Sequence, residues 1–137
     1  MVYDSNSAVL ELNHEYDPLS ILIVDDDQGI LNTLRTLFRS MGCTVAVTAD
    51  AFDAYTILMR GRIDLLIVDM RMPQISGLDL IKKVKDIKPT LRAILITAYD
   101  SPQLKRDISA IEGTRYIEKP FSHEQLKQAI REMGISI

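Results

Sequence analysis

Four groups of polar side chains close otherwise apolar runs, and their types are those of phosphate chemistry. Asp25-Asp26-Asp27 follows Ile21-Leu-Ile-Val, Asp69 follows Leu65-Leu-Ile-Val, Thr97 ends Ala93-Ile-Leu-Ile, and Lys119-Pro120 follows Tyr116-Ile-Glu. Brought into one small space, the carboxylates repel and cannot all stay charged without help. A divalent cation is the economical remedy, and ligands that are all oxygen suit Mg²⁺ or Mn²⁺ better than zinc or copper. Lys119 has the reach to pair with a phosphoryl group, and Thr97 can donate a hydroxyl hydrogen bond. A carboxylate nucleophile, a metal, an ammonium and a hydroxyl are the parts that in-line phosphoryl transfer to aspartate requires, and the product is an acyl phosphate.

Taken one at a time these residues have plainer readings. An Asp cluster after a strand is more often a turn or a helix cap than a metal site, and a cap of the first helix is the favoured role for Asp27. Thr97 alone reads as a β-branched strand end, and Tyr116 as a core or edge aromatic. His14 and His123 read as solvated. The chemistry therefore depends on elements that bring the groups together.

Those elements are legible from Leu19 onward, where short apolar runs alternate with helical periodicity five times, the form of a βα repeat. Strands are expected at residues 20–24, 44–48, 64–68, 93–97 and 116–118. Three of them are continuously apolar, as strands buried on both faces of a parallel sheet read. The first helix carries Ile30, Leu31, Leu34, Leu37, Phe38 and Met41 on one face and is stopped by Gly42. The second is expected at about 51–60 and the third at about 77–87, with Leu80, Ile81, Val84 and Ile87 as its stripe. The fourth begins at Ser101-Pro102, and the fifth has the capping-box spacing Ser122-x-x-Gln125, with Leu126, Ala129, Ile130 and Met133 facing inward.

Five such units in roughly 115 residues imply a doubly wound open α/β sheet, since a closed eight-fold barrel needs about twice the length. In the flavodoxin-like strand order 2-1-3-4-5, strands one and three are neighbours, so Asp25, Asp26 and Asp69 converge at their carboxyl ends. Neither a dinucleotide-binding nor a P-loop glycine pattern follows the first strand.

The chain of 137 residues makes one domain the default, here 19–133, with 1–18 a polar extension and 134–137 a tail or linker stub. Its 47% hydrophobic and 26% charged residues are an ordinary globular balance. A net charge of −3 argues against direct nucleic-acid binding, which needs a basic footprint. A single cysteine, Cys43, and two histidines build neither an internal disulfide nor a usual zinc site. No apolar stretch approaches the roughly 18–20 residues of a membrane span, and Asp4, Glu11, Glu15 and Asp17 are out of place in a signal peptide. A cytoplasmic protein without membrane insertion is expected.

In order and position, these motifs resemble the receiver domains of two-component response regulators, a CheY-like family. The resemblance covers about residues 19–133. It rests on Ile21 to Asp27, on Asp69-Met-Arg-Met-Pro73 with Gly77 four residues later, on Thr97-Ala98 and on Lys119-Pro120-Phe121. It implies that Asp69 is the phosphoacceptor, that Asp26 and Asp69 ligate Mg²⁺ directly with Asp25 acting through a metal-bound water, and that the Arg71 backbone carbonyl completes the set. Thr97 and Lys119 match the family's phosphate-binding pair, and Tyr116 its switch aromatic. The resemblance implies a cis bond between Lys119 and Pro120. Arg71 and Tyr99 stand where the family's side chains influence how fast water reaches the acyl phosphate. The implied donor is a phosphohistidine on a sensor kinase or phosphotransfer protein. The implied output surface is formed by helix four, strand five and helix five, meeting a downstream effector, a missing output domain or a second copy on phosphorylation. Helix four departs from the family in its charge, with Lys105, Arg106 and Asp107. Two other readings stay open, an Mg²⁺-dependent aspartyl-phosphate hydrolase and a pseudo-receiver scaffold that is not phosphorylated. The hydrolase normally has a second acid where Arg71 stands.

Overall fold

The computed structural model describes residues 17–137, so nearly all of the expected 1–18 extension, His14 included, lies outside the described residues. Strands β1 (Ser20–Val24), β2 (Thr44–Thr48), β3 (Leu65–Asp69), β4 (Arg92–Thr97) and β5 (Thr114–Glu118) alternate with helices α1 (Gln28–Ser40), α2 (Ala51–Arg60), α3 (Gly77–Lys85), α4 (Pro102–Ser109) and α5 (His123–Glu132). All strand pairings are parallel and the order is β2-β1-β3-β4-β5, the doubly wound arrangement expected.

The apolar runs explain the two-sided packing. Because side chains alternate along a strand, Leu22, Val24, Leu66, Val68, Ala93 and Leu95 join the core under α2, α3 and α4. Ile21, Ile23, Leu65, Ile67, Ile94 and Ile96 join the one under α1 and α5. Phe38 of α1, Leu58 of α2, Ile81 of α3 and Ile130 of α5 are fully buried against these faces. Burial of such a side chain contributes roughly 1.5–3 kcal/mol. Ile135, beyond α5, is also buried in the second core, and Ile137 packs against it.

Helix starts follow their cap residues. Asp27 accepts from the Gly29 and Ile30 amides, Asp50 from those of Phe52 and Asp53, Ser76 from Asp79 and Ser101 from Leu104. The capping box of Ser122 and Gln125 is formed in both directions. Gly42 takes φ +86°, the left-handed turn expected after α1.

Four elements differ in their bounds from those expected, β4 only by starting one residue earlier at Arg92. β3 is displaced by one residue, because Asp64 is spent on the strand entrance, its carboxylate accepting from Ser20 N at 2.8 Å and bonding Arg62. Asp69 is consequently the last residue of the strand itself. β5 starts two residues earlier, since Thr114 is buried and Arg115 reaches across to Glu132 at 2.8 Å. Ile87 is not part of the α3 stripe. The helix ends at Lys85, the chain folds back through Ile87 and Lys88 amides onto Val84 O, and Ile87 is left 55% exposed.

Gly77 is required by a close approach. Its amide donates to Met70 O at 2.9 Å, and a Cβ there would lie 2.2 Å from Asp69 O and 2.9 Å from Leu95 Cδ1. Gly77→Ala is expected to lower the unfolding free energy by about 1–3 kcal/mol through this overpacking. Urea denaturation measures it, and an unchanged midpoint would show that the β3–α3 connection yields freely.

Candidate functional site

Four strand ends, those of β1, β3, β4 and β5, and the loops after them build the site. The register that pairs Val24 with Val68 places Asp25 and Asp69 one step further on adjacent strands. Asp25 and Asp69 are buried while Asp26 is exposed. One carboxylate oxygen from each lies within 4.8 Å of the other two. Asp25 Oδ1 accepts the Asp27 amide at 2.9 Å, but Oδ2 is buried and has no hydrogen-bond partner among the described residues. Burial pushes the Asp25 carboxyl up to about 6, with the Asp27 amide and Lys119 opposing and the charges of Asp69 and Asp26 reinforcing. An orphaned buried carboxylate oxygen beside two further carboxylates is a donor set suited to a small hard cation. The residues therefore fit Mg²⁺ or Mn²⁺. Asp27 turns away to cap α1, its favoured role.

Lys119 Nζ lies 2.9 Å from Asp69 Oδ1. The strand order explains the reach, because β4 separates β3 from β5, and the Lys119 amide is held by Thr97 O at 2.8 Å. Partial burial pulls the ammonium down, but the hydrogen bond and charge of Asp69, with Asp25 and Asp27 behind it, outweigh this and its pKa rises. The ammonium is thus retained at neutral pH. The Lys119-Pro120 peptide is cis.

Asp69 Oδ2 accepts the Arg71 amide at 3.1 Å, fixing the carboxylate from its other side. The Arg71 guanidinium carbon stands 5.9 Å from the centroid of the Tyr99 ring, which is 69% exposed. The two belong to a cleft of about 240 Å³ that runs from Asp69 past Thr97 to Leu104 and Lys119. The hydroxyl of buried Thr97 does not bond Asp69. It donates to Tyr99 O at 3.0 Å and accepts from Tyr99 N at 3.1 Å. Tyr116 stands outside the cleft, its hydroxyl donating to Asp100 Oδ1 at 3.0 Å. Burial first, then the hydrogen bond and charge of Asp100 with that of Glu118, push the phenol's pKa up. Asp100 Oδ2 in turn lies 3.5 Å from Lys105 Nζ.

Residues 21–131 match the family model of the response regulator receiver domain. The chain belongs to that family. The receiver domain is 30% identical over 111 residues to sporulation initiation phosphotransferase F of Bacillus subtilis, covering 81% of this chain and 90% of that one. Other curated regulators it matches are longer, and the chain spans 53% and 24% of two of them. Among solved structures, it superposes with a TM-score of 0.78 and 27% identity on a CheY-like receiver from Methanospirillum hungatei, covering 85% of this chain and 93% of that one. A TM-score of 0.74 and 28% identity relate it to the response regulator TrrA of Thermotoga maritima, solved in complex with Mg²⁺ and BeF, over 84% of this chain and 98% of that one. The receiver is a signalling module of two-component systems.

Of the sequence-derived candidates, the fold brings together Asp25, Asp26, Asp69 and Lys119, with Arg71, Thr97 and Tyr99 lining the adjoining cleft. Tyr116 is set apart by its bond to Asp100. Asp100 itself was not legible, because it lies 16 residues from Tyr116 and only the β4–β5 pairing joins them.

The Asp25 shift sets the sign of a stability change. The folded chain holds the carboxyl proton more tightly than the unfolded chain, so stability falls as pH rises from 3.8 to about 6 and the cost is complete above that. Asp25→Asn is expected to be more stable than the parent near neutral pH without divalent ions, by roughly 1–3 kcal/mol, and so to melt at a higher temperature. The gap should close as the pH is lowered through that window, and Mg²⁺ should raise the parent's melting temperature more than the variant's. Coincident melts at neutral pH would show that the three carboxylates do not strain the fold.

Proposed function

We propose that this receiver domain accepts a phosphoryl group on Asp69 from a phosphohistidine of a sensor kinase or phosphotransfer protein, in an Mg²⁺-dependent reaction. The observation that carries the reading is the convergence of Asp25, Asp26 and Asp69 with Lys119, 2.9 Å from Asp69, at the carboxyl end of the sheet. A carboxylate oxygen of Asp69 attacks phosphorus, the P–N bond breaks, and the imidazole leaves with the electron pair and takes up a proton. The result is an acyl phosphate on Asp69. Lys119, already paired with that carboxylate, neutralises charge on the transferred group, and the Arg71 amide holds the attacking side chain in place. Asp26 and Asp69 directly, Asp25 through water, and the Arg71 carbonyl would hold the cation, which when bound supplies positive charge to offset carboxylates and phosphoryl oxygens. The TrrA complex with Mg²⁺ and BeF supports the choice of cation.

Thr97 and Tyr116 form the switch. Thr97 leaves Tyr99 for the phosphoryl oxygens, Tyr116 moves into the space beside it, and the surface of α4, β5 and α5 changes its affinity for an effector, an output domain or a second copy. No described helix is long and apolar enough to cross a membrane, and a cytoplasmic location fits the expected kinase partner. The hydrolase reading is not favoured, since Arg71 occupies the position of its second acid, and the intact site gives the scaffold reading no support.

Incubation with Mg²⁺ and acetyl phosphate, followed by intact-protein mass spectrometry, is expected to show one added phosphoryl group that Asp69→Asn abolishes. Turnover without adduct would favour the hydrolase, and neither adduct nor turnover the scaffold. The Arg71–Tyr99 pair stands over the cleft and is expected to slow hydrolysis by shielding the acyl phosphate. Arg71→Ala and Tyr99→Ala should each shorten its half-life about threefold, a barrier change under about 1 kcal/mol. An unchanged lifetime in both variants would remove the shielding role.

A further inference from the structure

The four residues between Thr97 and α4 grip both switch side chains at once. Tyr99 holds the Thr97 hydroxyl through its carbonyl and its amide. The next residue, Asp100, holds the Tyr116 hydroxyl at 3.0 Å. Asp100 has no part in capping α4, because Ser101 Oγ accepts the Leu104 amide at 3.0 Å and fills that role. Its carboxylate is instead placed between a distant partner and a near one, one oxygen toward Tyr116 and the other 3.5 Å from Lys105 Nζ. Lys105 is on the exposed first turn of α4, so the excess charge of that helix acquires a local use.

The geometry points to Asp100 as a latch that holds Tyr116 outside the Thr97 cleft in the unphosphorylated domain, with Lys105 orienting its carboxylate. This rests on the switch reading proposed above. Tyr116 can enter the cleft only by giving up a charge-assisted hydrogen bond, which is stronger than one between neutral groups. Tyr99 and Asp100 are adjacent, so a loop shift that frees Thr97 also disturbs the Tyr116 bond. Both steps of the switch are thereby opposed by one short segment. Removing the latch stabilises nothing new in the inward state. It raises the fraction of molecules that populate that state, and a ligand preferring the state then binds more tightly by the same factor.

Beryllofluoride, a phosphoryl mimic, is the probe, titrated by calorimetry into the full chain at fixed Mg²⁺ concentration. Asp100→Ala is expected to bind it about 2- to 10-fold more tightly than the parent, the range for one hydrogen bond to a carboxylate that solvent exposure weakens. Asp100→Asn keeps an acceptor for the Tyr116 hydroxyl but loses the charge and the Lys105 ion pair, and should fall between the parent and Asp100→Ala. Lys105→Ala should shift affinity in the same direction as Asp100→Ala but less. In a Tyr116→Phe background, Asp100→Ala should have no further effect, since the hydroxyl through which it acts is gone. Asp100 and Lys105 are both exposed, and thermal melts establish that each variant is folded.

Parent-like affinity in Asp100→Ala overturns the latch, and so does the same tightening in the Tyr116→Phe background, which would place the effect elsewhere. Either result leaves the phosphoacceptor reading intact. Failure of the parent itself to bind beryllofluoride with Mg²⁺ overturns the phosphoacceptor reading, and the latch with it.

Discussion

The mutual repulsion of three carboxylates at one end of a parallel sheet is the constraint around which this domain is organised. Asp25, Asp26 and Asp69 cannot be separated, because adjacent strands in register deliver two of them and the chain continues directly into the third. The fold offsets the charge with one ammonium, Lys119, and with backbone amides from Asp27 and Arg71. The offset is incomplete. Asp25 keeps an unpartnered buried oxygen and a raised pKa, the signature of a site that is strained until another positive charge arrives.

Holding charges so close requires rigid walls. The sheet supplies them by burying both its faces, so that each strand is clamped between helices whose side chains are close-packed. Functional groups then emerge only where a strand runs out of apolar partners. Asp69 is the limiting case, being at once the last residue of β3 and the residue whose carbonyl Gly77 must approach. The carboxylate cluster and close packing meet at that residue, so a side chain at 77 would have to push the β3–α3 connection aside.

The other half of the site is held more lightly. Thr97 and Tyr116 are restrained by individual hydrogen bonds to the loop at 98–101, and the aromatic ring of Tyr99 lies largely in solvent. Each such bond is worth only about a kcal/mol. On the proposed reading, the charge that phosphorylation would add to Asp69 is enough to outweigh them, whereas it would not move the sheet. In the proposed function, this division between a stiff acidic pocket and a loosely tethered Thr97–Tyr116 pair is what would let a local charge be read at a distant surface.

Much of this was written in the order of residues. Continuous apolar runs ending in Asp25, Asp69 and Thr97, cap residues before each helix and the spacing to Lys119 determine the βα repeat and the kinds of side chain at its carboxyl ends, because strand burial and helix capping are local effects. What depended on distance along the chain was decided by tertiary structure. Polar Thr114 and Arg115 belong to β5 only because β4 pairs with them, and Ile87 falls out of its stripe because the chain folds back after Lys85. The Lys85 ammonium, at the end of α3, donates to the carbonyls of Leu91 and Glu112, contacts that form only once β4 and α4 are packed beside it. The orphaned oxygen of Asp25, the outward tether of Tyr116 on Asp100 and the turn of Thr97 toward Tyr99 are likewise invisible in sequence. Each is set by which strands lie side by side, and side-chain direction at a strand end depends on neighbours that the chain meets only after it has folded.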